Sequence, residues 1–287
     1  MLSIIYTRIR VNYMKTVVIT GASTGIGHAT VKTCLAAQYK VIATARNEVD
    51  LKQLEDMGAI PVEMELTNQQ SVEKAASAII GRSGGRIDAL FNNAGYGLQV
   101  AMEDVTWDCL EHQLTANLTG PVMLTNYLLE HALHPKSKIV FNSSILGLVV
   151  VPFRGPYCIS KYAVEAAADA YRQELASRGV DVFVIEPGPI EASFRASAVQ
   201  MSRACIGYKQ TRLDYTEHFG RLSTSELTKG TLPASAVASV FMDIIEERTD
   251  KKRHLVTRMA KLAASAKWLL GDKFDLLAKR NQPVLKR

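Results

Sequence analysis

Residues 15–27 read KTVVITGASTGIG, and the next stretch runs on as HATVKTCLAAQ to Gln38. Lys15–Thr20 is a short apolar, β-branched run, which predicts a strand. Gly21, Ala22, Ser23, Thr24, Gly25, Ile26 and Gly27 then form a glycine-rich turn. Apolar residues at helical spacing follow it, so the turn opens a helix. Glycines at such a junction let the backbone turn tightly and approach a pyrophosphate. The helix N-terminus adds unpaired N–H donors and the positive end of a dipole. A second strand, KVIATA at 40–45, begins about 20 residues further on, which strengthens a nucleotide-binding reading. The glycine spacing is G-x-x-x-G-x-G, and no Gly-Lys-Ser/Thr follows, so the turn is not a Walker A loop.

The same alternation continues along the chain. VDLKQLEDMG reads as helix, AIPVEMEL (59–66) as strand and residues 69–80 as helix. RIDALFNNAG (86–95) is a strand closed by a turn, and residues 106–131 form a long helical stretch. KIVFNSS (138–144) is a strand, 157–178 a helix and VDVFVIEPG (180–188) a strand. Strands apolar throughout are those covered on both faces. The fold class predicted is therefore α/β: a doubly wound, mostly parallel sheet of Rossmann type with helices on both faces. Ligands of such sheets bind at the carboxyl ends of the strands. One domain spans residues 15–257, after an N-terminal extension at 1–14. Met14 is a second candidate start. Residues 189–232 form an insertion shaping a substrate site, and 258–287 a basic amphipathic tail.

The bulk numbers exclude several classes. The chain has 287 residues, and no apolar run approaches the ~20 needed to span a bilayer. Arg8, Arg10 and Lys15 break up the N-terminal apolar residues, which argues against a signal peptide and for the cytoplasm. Cys34, Cys109, Cys158 and Cys205 are widely spaced, predicting free thiols with neither disulfide nor metal site. Net charge is +6, but residues 251–287 hold eleven Lys/Arg and two Asp, so the rest sums to −3. The tail is expected to be a solvated helical face, with peripheral contact to an anionic membrane or acidic partner as the alternative. Aromatics among the basic residues are too few to indicate nucleic acid.

Three further groups carry the chemistry. The second strand ends Thr44-Ala45-Arg46-Asn47, with no acid to hold a ribose diol. Arg46 suits a 2′-phosphate and points to NADP(H), with no carboxylate at that strand end to repel it. Tyr157 and Lys161 lie four apart and share a helix face, whereas Tyr162 turns away. A phenol with an ammonium nearby is drawn toward the phenolate and can exchange a proton with an alcohol or carbonyl oxygen. Ser144, thirteen residues before Tyr157, ends a strand where its hydroxyl can polarise the same oxygen, and Ser143 points the other way. Asn117 lies in an otherwise apolar helical stretch, either as a hydrogen-bond hub or on a proton path.

In these motifs the chain resembles the short-chain dehydrogenase/reductase family over residues 15–257. They are TGASTGIG at 20–27, NNAG at 92–95, Asn117 in NLTG, Ser144 with YCISK at 157–161, and EPGPI at 186–190. The resemblance implies a metal-free oxidoreductase moving hydride between nicotinamide and a carbonyl. It implies Tyr157 as acid/base, Lys161 lowering its pKa and holding the nicotinamide ribose, and Ser144 orienting the substrate. Asn117 would hold a water leading from Lys161 to solvent. Asn93, Ala94 and Gly95 would pass the adenosine side of the cofactor, and Pro187, Gly188 and Ile190 the nicotinamide end. Glu65, followed by Leu66, stands where the family usually has Asp for the adenine amino group. Ala192 replaces a common carboxamide-binding threonine, with Ser193 next to it. Thr24 stands where NADP-preferring members often have a basic residue. Leu98, Leu146 and Leu148, Val149–Val151, Phe153, Phe194 and Met201 predict an apolar pocket for a lipophilic ketone, aldehyde or secondary alcohol. Steroid- and retinol-dehydrogenase-like members are similar, and a homo-oligomer is implied. Alternatives are a 3-oxoacyl-carrier-protein reductase and an NADP-sensing protein without turnover.

Overall fold

The computed structural model describes residues 14–191, 194–207, 211–223, 230–278 and 284–285. The N-terminal extension before Met14, Ala192 and Ser193 lie outside the described residues. Seven strands make one sheet: β1 (Thr16–Ile19), β2 (Lys40–Ala45), β3 (Ile60–Glu63), β4 (Ile87–Asn92), β5 (Leu133–Asn142), β6 (Asp181–Glu186) and β7 (Arg253–Leu255). Their spatial order is β7-β6-β5-β4-β1-β2-β3, and every neighbouring pair is parallel. The order reverses between β1 and β4, so the crevice at their carboxyl ends is where this architecture receives a ligand.

Alternation along each strand splits the core into two layers. Val17 and Ile19 of β1 pack with Val31 and Cys34 of α1 (Gly25–Ala36) and Phe241. Val18 points the opposite way, into a layer with Ile79, Leu124 and Val164. That second layer belongs to α3 (Gln69–Ser83), α5 (Gly120–His131) and α6 (Gly155–Glu174), and α2 (Glu48–Asp56) lies between β2 and β3. Helix-breaking chemistry sets several boundaries. Asn47 and Asn68 cap α2 and α3 by accepting from Asp50 N and Ser71 N. Gly84 ends α3 in the left-handed conformation.

The long helical stretch expected over 106–131 is three joined segments. α4 (Trp107–Leu114) passes into a π-helical turn at Thr115–Thr119 and then into α5. Such one-turn π-bulges recur at functional sites. The 189–232 insertion contains α7 (Phe194–Ile206) and α8 (Thr216–Ser223), and its short strand Ile190–Glu191 pairs with Leu232–Pro233. It packs on the loop after β4 through Leu98, Val100, Phe153, Leu213, Tyr215 and Phe219. α9 (Ser235–Ile245) precedes β7, and α10 (Arg258–Leu270) follows it. Val284–Leu285 pairs antiparallel with Leu213–Asp214 of the insertion.

The cysteine expectation is corrected here. Cys109 of α4 and Cys205 of α7 form a disulfide, with Cα atoms 6.0 Å apart across a sequence separation of 96. Only the fold brings α4 against the insertion, so spacing could not reveal the pair. Cys34 and Cys158 are free and buried. Among the described residues, no group of three or more His, Cys, Asp or Glu could hold a metal ion, and no helix is long and apolar enough to cross a membrane.

Candidate active site

A cleft of about 1110 Å³ runs across the carboxyl ends of the strands. Its lining includes Gly21, Ser23, Thr24, Gly25, Ile26, Arg46, Glu65, Leu66, Asn93, Ala94 and Gly95 at one end. Ser144, Tyr157, Lys161, Pro187, Gly188 and Ile190 line the other. Gly27 and Asn117 are absent from the lining and act behind it.

The glycine turn is held rigidly and leaves room above it. Gly21 has φ +61°, and a Cβ there would sit 2.7 Å from Ala94 Cα. A Cβ on Gly27 would overlap the Gly21 carbonyl oxygen. Asn93 explains why the turn keeps its shape. Its Nδ2 donates to Thr20 O at 2.9 Å and Gly21 O at 3.1 Å, and its Oδ1 accepts from Asn142 Nδ2 at 2.9 Å. Thr20 Oγ1 accepts from Asn93 N and Ala94 N, both at 3.0 Å. Thr44 Oγ1 accepts from Gly21 N at 3.3 Å. Thr24 at the N-cap of α1 makes no side-chain capping bond, and no acid lies in the first turn. Its N–H groups and dipole thus face the cleft, and this end fits a pyrophosphate.

At the end of the cleft beside β2 and β3 the fold supplies a carboxylate that β2 itself lacks. Glu65 Oε2 lies 3.6 Å from Arg46 Nη1, across from the neighbouring strand end. Glu65 is pinned through its other oxygen, which accepts from Thr67 N at 3.0 Å and Thr67 Oγ1 at 2.9 Å. The Arg46 side chain is 74 % exposed and so can leave this partner for a phosphate.

Tyr157 and Lys161 stand on α6 with their side chains buried. Lys161 Nζ donates to Asn142 O at 2.6 Å and lies 5.7 Å from the Tyr157 ring centroid. Ser144 Oγ accepts from Leu146 N at 3.1 Å and contacts Pro187 O at 3.5 Å. Burial pushes the Tyr157 phenol up to about 12, while a hydrogen bond from Ser144 and the Arg154 charge pull it the other way. Burial also pulls Lys161 down to about 8, opposed by Glu165. Burial is thus the largest influence on the phenol in the protein itself. Ser143 points away from the cleft's reacting end, toward Gly147 and Glu165. Tyr162 is 40 % exposed.

Asn117 sits in the π-turn as a hub. Its Oδ1 accepts from Tyr96 N at 3.0 Å, and its Nδ2 donates to Tyr96 O at 2.9 Å and Ser160 Oγ at 3.0 Å. Gly95 is needed beside it, since a Cβ there would come 2.8 Å from Asn117 Oδ1. Lys161 contacts Asn142 instead.

Sequence reading places Phe153 in the pocket but misses its ring partners. Phe153, at φ +64°, stacks on His218 with centroids 4.4 Å apart and meets Tyr215 edge-on at 5.2 Å. Gln99, buried at 4 % exposure, and Arg154 also line the cleft. A buried acid cluster was missed as well. Arg253 of β7 bonds Glu165, Asp169 (2.6 Å) and Glu186 (3.2 Å). Burial, then Glu165, pushes Glu186 up to about 7. Glu165, one turn beyond Lys161, was legible as a helix-spaced acid, but its arginine partner on a distant strand was not.

Comparison with known proteins adds the lineage. Residues 15–203 match the family model described as short chain dehydrogenase. The NADPH-dependent 3-dehydrocapnine reductase of Ornithobacterium rhinotracheale is 32 % identical over 273 residues, 91 % of this chain and 94 % of that protein. Dehydrogenase/reductase SDR family member 7B of Rattus norvegicus is 33 % identical over 253 residues, 84 % of this chain and 72 % of that one. Among solved structures, a Burkholderia phymatum short-chain dehydrogenase/reductase in complex with NAD superposes with TM-score 0.76 at 22 % identity, covering 90 % of this chain and 94 % of that one. A Burkholderia cenocepacia short chain dehydrogenase in complex with NADP gives 0.66 at 22 %, over 84 % and 95 %. Motifs, sheet order and matched residues converge, and the chain belongs to the short-chain dehydrogenase/reductase family of oxidoreductases, built on a nicotinamide-dinucleotide-binding fold.

Proposed function

We propose that the protein is an NADP(H)-dependent reductase or dehydrogenase of a lipophilic ketone, aldehyde or secondary alcohol, with residues 15–257 as its catalytic unit and Tyr157 as acid/base. The observation that carries this reading is the single cleft that joins the glycine turn and Arg46 to Ser144, Tyr157 and Lys161. The dinucleotide fits: the uncapped start of α1 and the Gly21–Gly27 cradle suit its diphosphate, and Arg46 its 2′-phosphate. Asn93, Ala94 and Gly95, which line one end of the cleft, would flank its adenosine side, and Pro187, Gly188 and Ile190, which line the other, its nicotinamide side. Bound there, it supplies or accepts the hydride.

The chain's own residues do the rest. In the reducing direction the Tyr157 hydroxyl donates its proton to the substrate oxygen, and the high phenol pKa keeps that proton available. Ser144 Oγ donates a second hydrogen bond to the same oxygen. Lys161, anchored on Asn142 O, holds a positive charge behind the tyrosine and favours the phenolate left after transfer. Phe153, Leu146, Val149, Val151, Met201 and Leu222 give the substrate end its apolar walls. NADPH in the name of the Ornithobacterium relative supports the cofactor choice. Cytoplasmic residence and a homo-oligomer belong to the same reading, and light scattering on the purified protein tests the latter.

The test is a panel of steroids, retinoids, aliphatic aldehydes and acyl thioesters followed by NADPH absorbance. Turnover of an apolar carbonyl that Tyr157→Phe abolishes while NADPH still binds supports the proposal. Activity unaffected by Tyr157→Phe, or no oxidation of NADPH with any apolar carbonyl, overturns it.

A further inference from the structure

The helix after β7 has two unlike sides. Ala260 of α10 is fully buried, and Met259, Ala260 and Ala263 line the cleft. The opposite side carries Leu262 (65 % exposed) and Leu269 (71 %), seven residues apart and therefore on one stripe. Lys261 and Trp268 (83 % exposed) repeat at the same interval beside them. Leu270, Leu276 and Leu277 extend the apolar surface through the turn that follows, where only Phe274 is buried. Arg258 and Lys273 border it. Apolar side chains this large and this close together are not left to water on a monomer without use.

Charge selects the occupant. Residues 258–277 carry Arg258, Lys261, Lys267 and Lys273 against Asp272 and Asp275, a net +2 on the face itself. A second copy docking through the same face would set these like charges against each other. A bilayer surface with anionic headgroups offers the opposite charge and an apolar layer beneath it. Indole at such a boundary keeps its ring in the apolar layer and its N–H among headgroups. The stripe also lacks the length to insert across a membrane, so it lies on the surface.

We infer that α10 and the turn through Leu277 form a docking face for an anionic lipid bilayer, which holds the adjoining cleft entrance at the membrane surface. Docking stands on exposure and charge alone. Only its use, delivery of a membrane-dissolved carbonyl to the cleft, rests on the function proposed above.

Flotation of the full chain with phosphatidylglycerol–phosphatidylcholine vesicles, against pure phosphatidylcholine, tests it without reference to turnover. The protein floats with the anionic vesicles at low salt, stays behind with neutral ones, and is released by high salt. Trp268→Ser with Leu269→Ser lowers partitioning by at least about tenfold. Lys261→Gln and Lys273→Gln each lower it about fivefold. In a Trp107→Phe background, the Trp268 emission shifts to the blue on binding. Unchanged circular dichroism and melting show that these surface variants fold. The inference is overturned if the unmodified protein stays soluble beside anionic vesicles at low salt, or if the Trp268/Leu269 variant floats as well as its parent. A dimer that the same variant dissociates, with no vesicle binding, also overturns it. Vesicle binding without turnover of any apolar carbonyl would leave docking standing and remove the proposed reaction.

Discussion

Tyr157 and Lys161 are both buried, and burial acts on them in opposite directions: the phenol is held neutral, and the ammonium is made easier to deprotonate. The pH dependence of reduction follows. Lys161 is charged below about 8 and loses its charge as pH rises through that value, so kcat/KM for carbonyl reduction should hold at neutral pH and decline above it. A flat profile to strongly alkaline pH would count against a role for Lys161. Glu165 opposes the deprotonation, so Glu165→Gln should move the decline to lower pH. Arg46 is the corresponding residue at the far end of the cleft. Arg46→Asp should raise KM for NADPH by about tenfold to a hundredfold, the loss of one or two charge-assisted hydrogen bonds, and leave NADH nearly unaffected. Initial rates with both cofactors decide it. Four-residue spacing puts Tyr157 and Lys161 on one helix face and the family resemblance supplies the roles proposed for them, but their titration could not be read, because desolvation is set by surroundings distant in the chain. Glu65 illustrates the same limit. Its contact with Arg46 joins residues 19 apart that meet only because β2 and β3 lie side by side.

Elements carry their own consequences. The turn between β1 and α1 tolerates no side chain at Gly21 or Gly27, for reasons of backbone sign at the first and contact at both. Gly21→Ala should cost about 1–3 kcal/mol in stability, visible as a lower melting temperature, and should weaken dinucleotide binding by moving Ala94. The glycine spacing announced that turn, because φ > 0 and close approach are local demands. The disulfide between α4 and α7 is the contrary case, since two cysteines 96 residues apart reveal nothing until helices meet. Thiol titration of the unfolded, unreduced protein should find two reactive cysteines, Cys34 and Cys158, rising to four after reduction. Four at the outset would mean that the bridge is absent. The π-turn in the 106–131 helix was equally hidden: its extra residue lets Asn117 face Tyr96, and helical periodicity does not reveal such a local insertion.

The whole molecule is a parallel sheet between two helical layers, and this much was legible because apolar, β-branched runs alternate with helical ones from Thr16 to Leu255. What lay beyond legibility is the insertion, whose helices are placed by the loop after β4 rather than by their own pattern. A ligand that binds only the folded form stabilises it by mass action. NADPH at a hundredfold its Kd should therefore add about 2.7 kcal/mol, and NADH at the same concentration clearly less. Thermal melts with each cofactor check this, and an equal or larger shift with NADH would contradict the choice of NADP(H).

Arg253 joins the edge of the sheet to the helix that bears the tyrosine. One guanidinium there answers three carboxylates, and two of them, Glu165 and Glu186, are almost wholly shielded from water. Losing it would strand negative charge that has nowhere to go, whereas losing one acid would leave the others still answered. Homologues should accordingly vary positions 165, 169, 186 and 253 as a linked set, with the arginine the last to change.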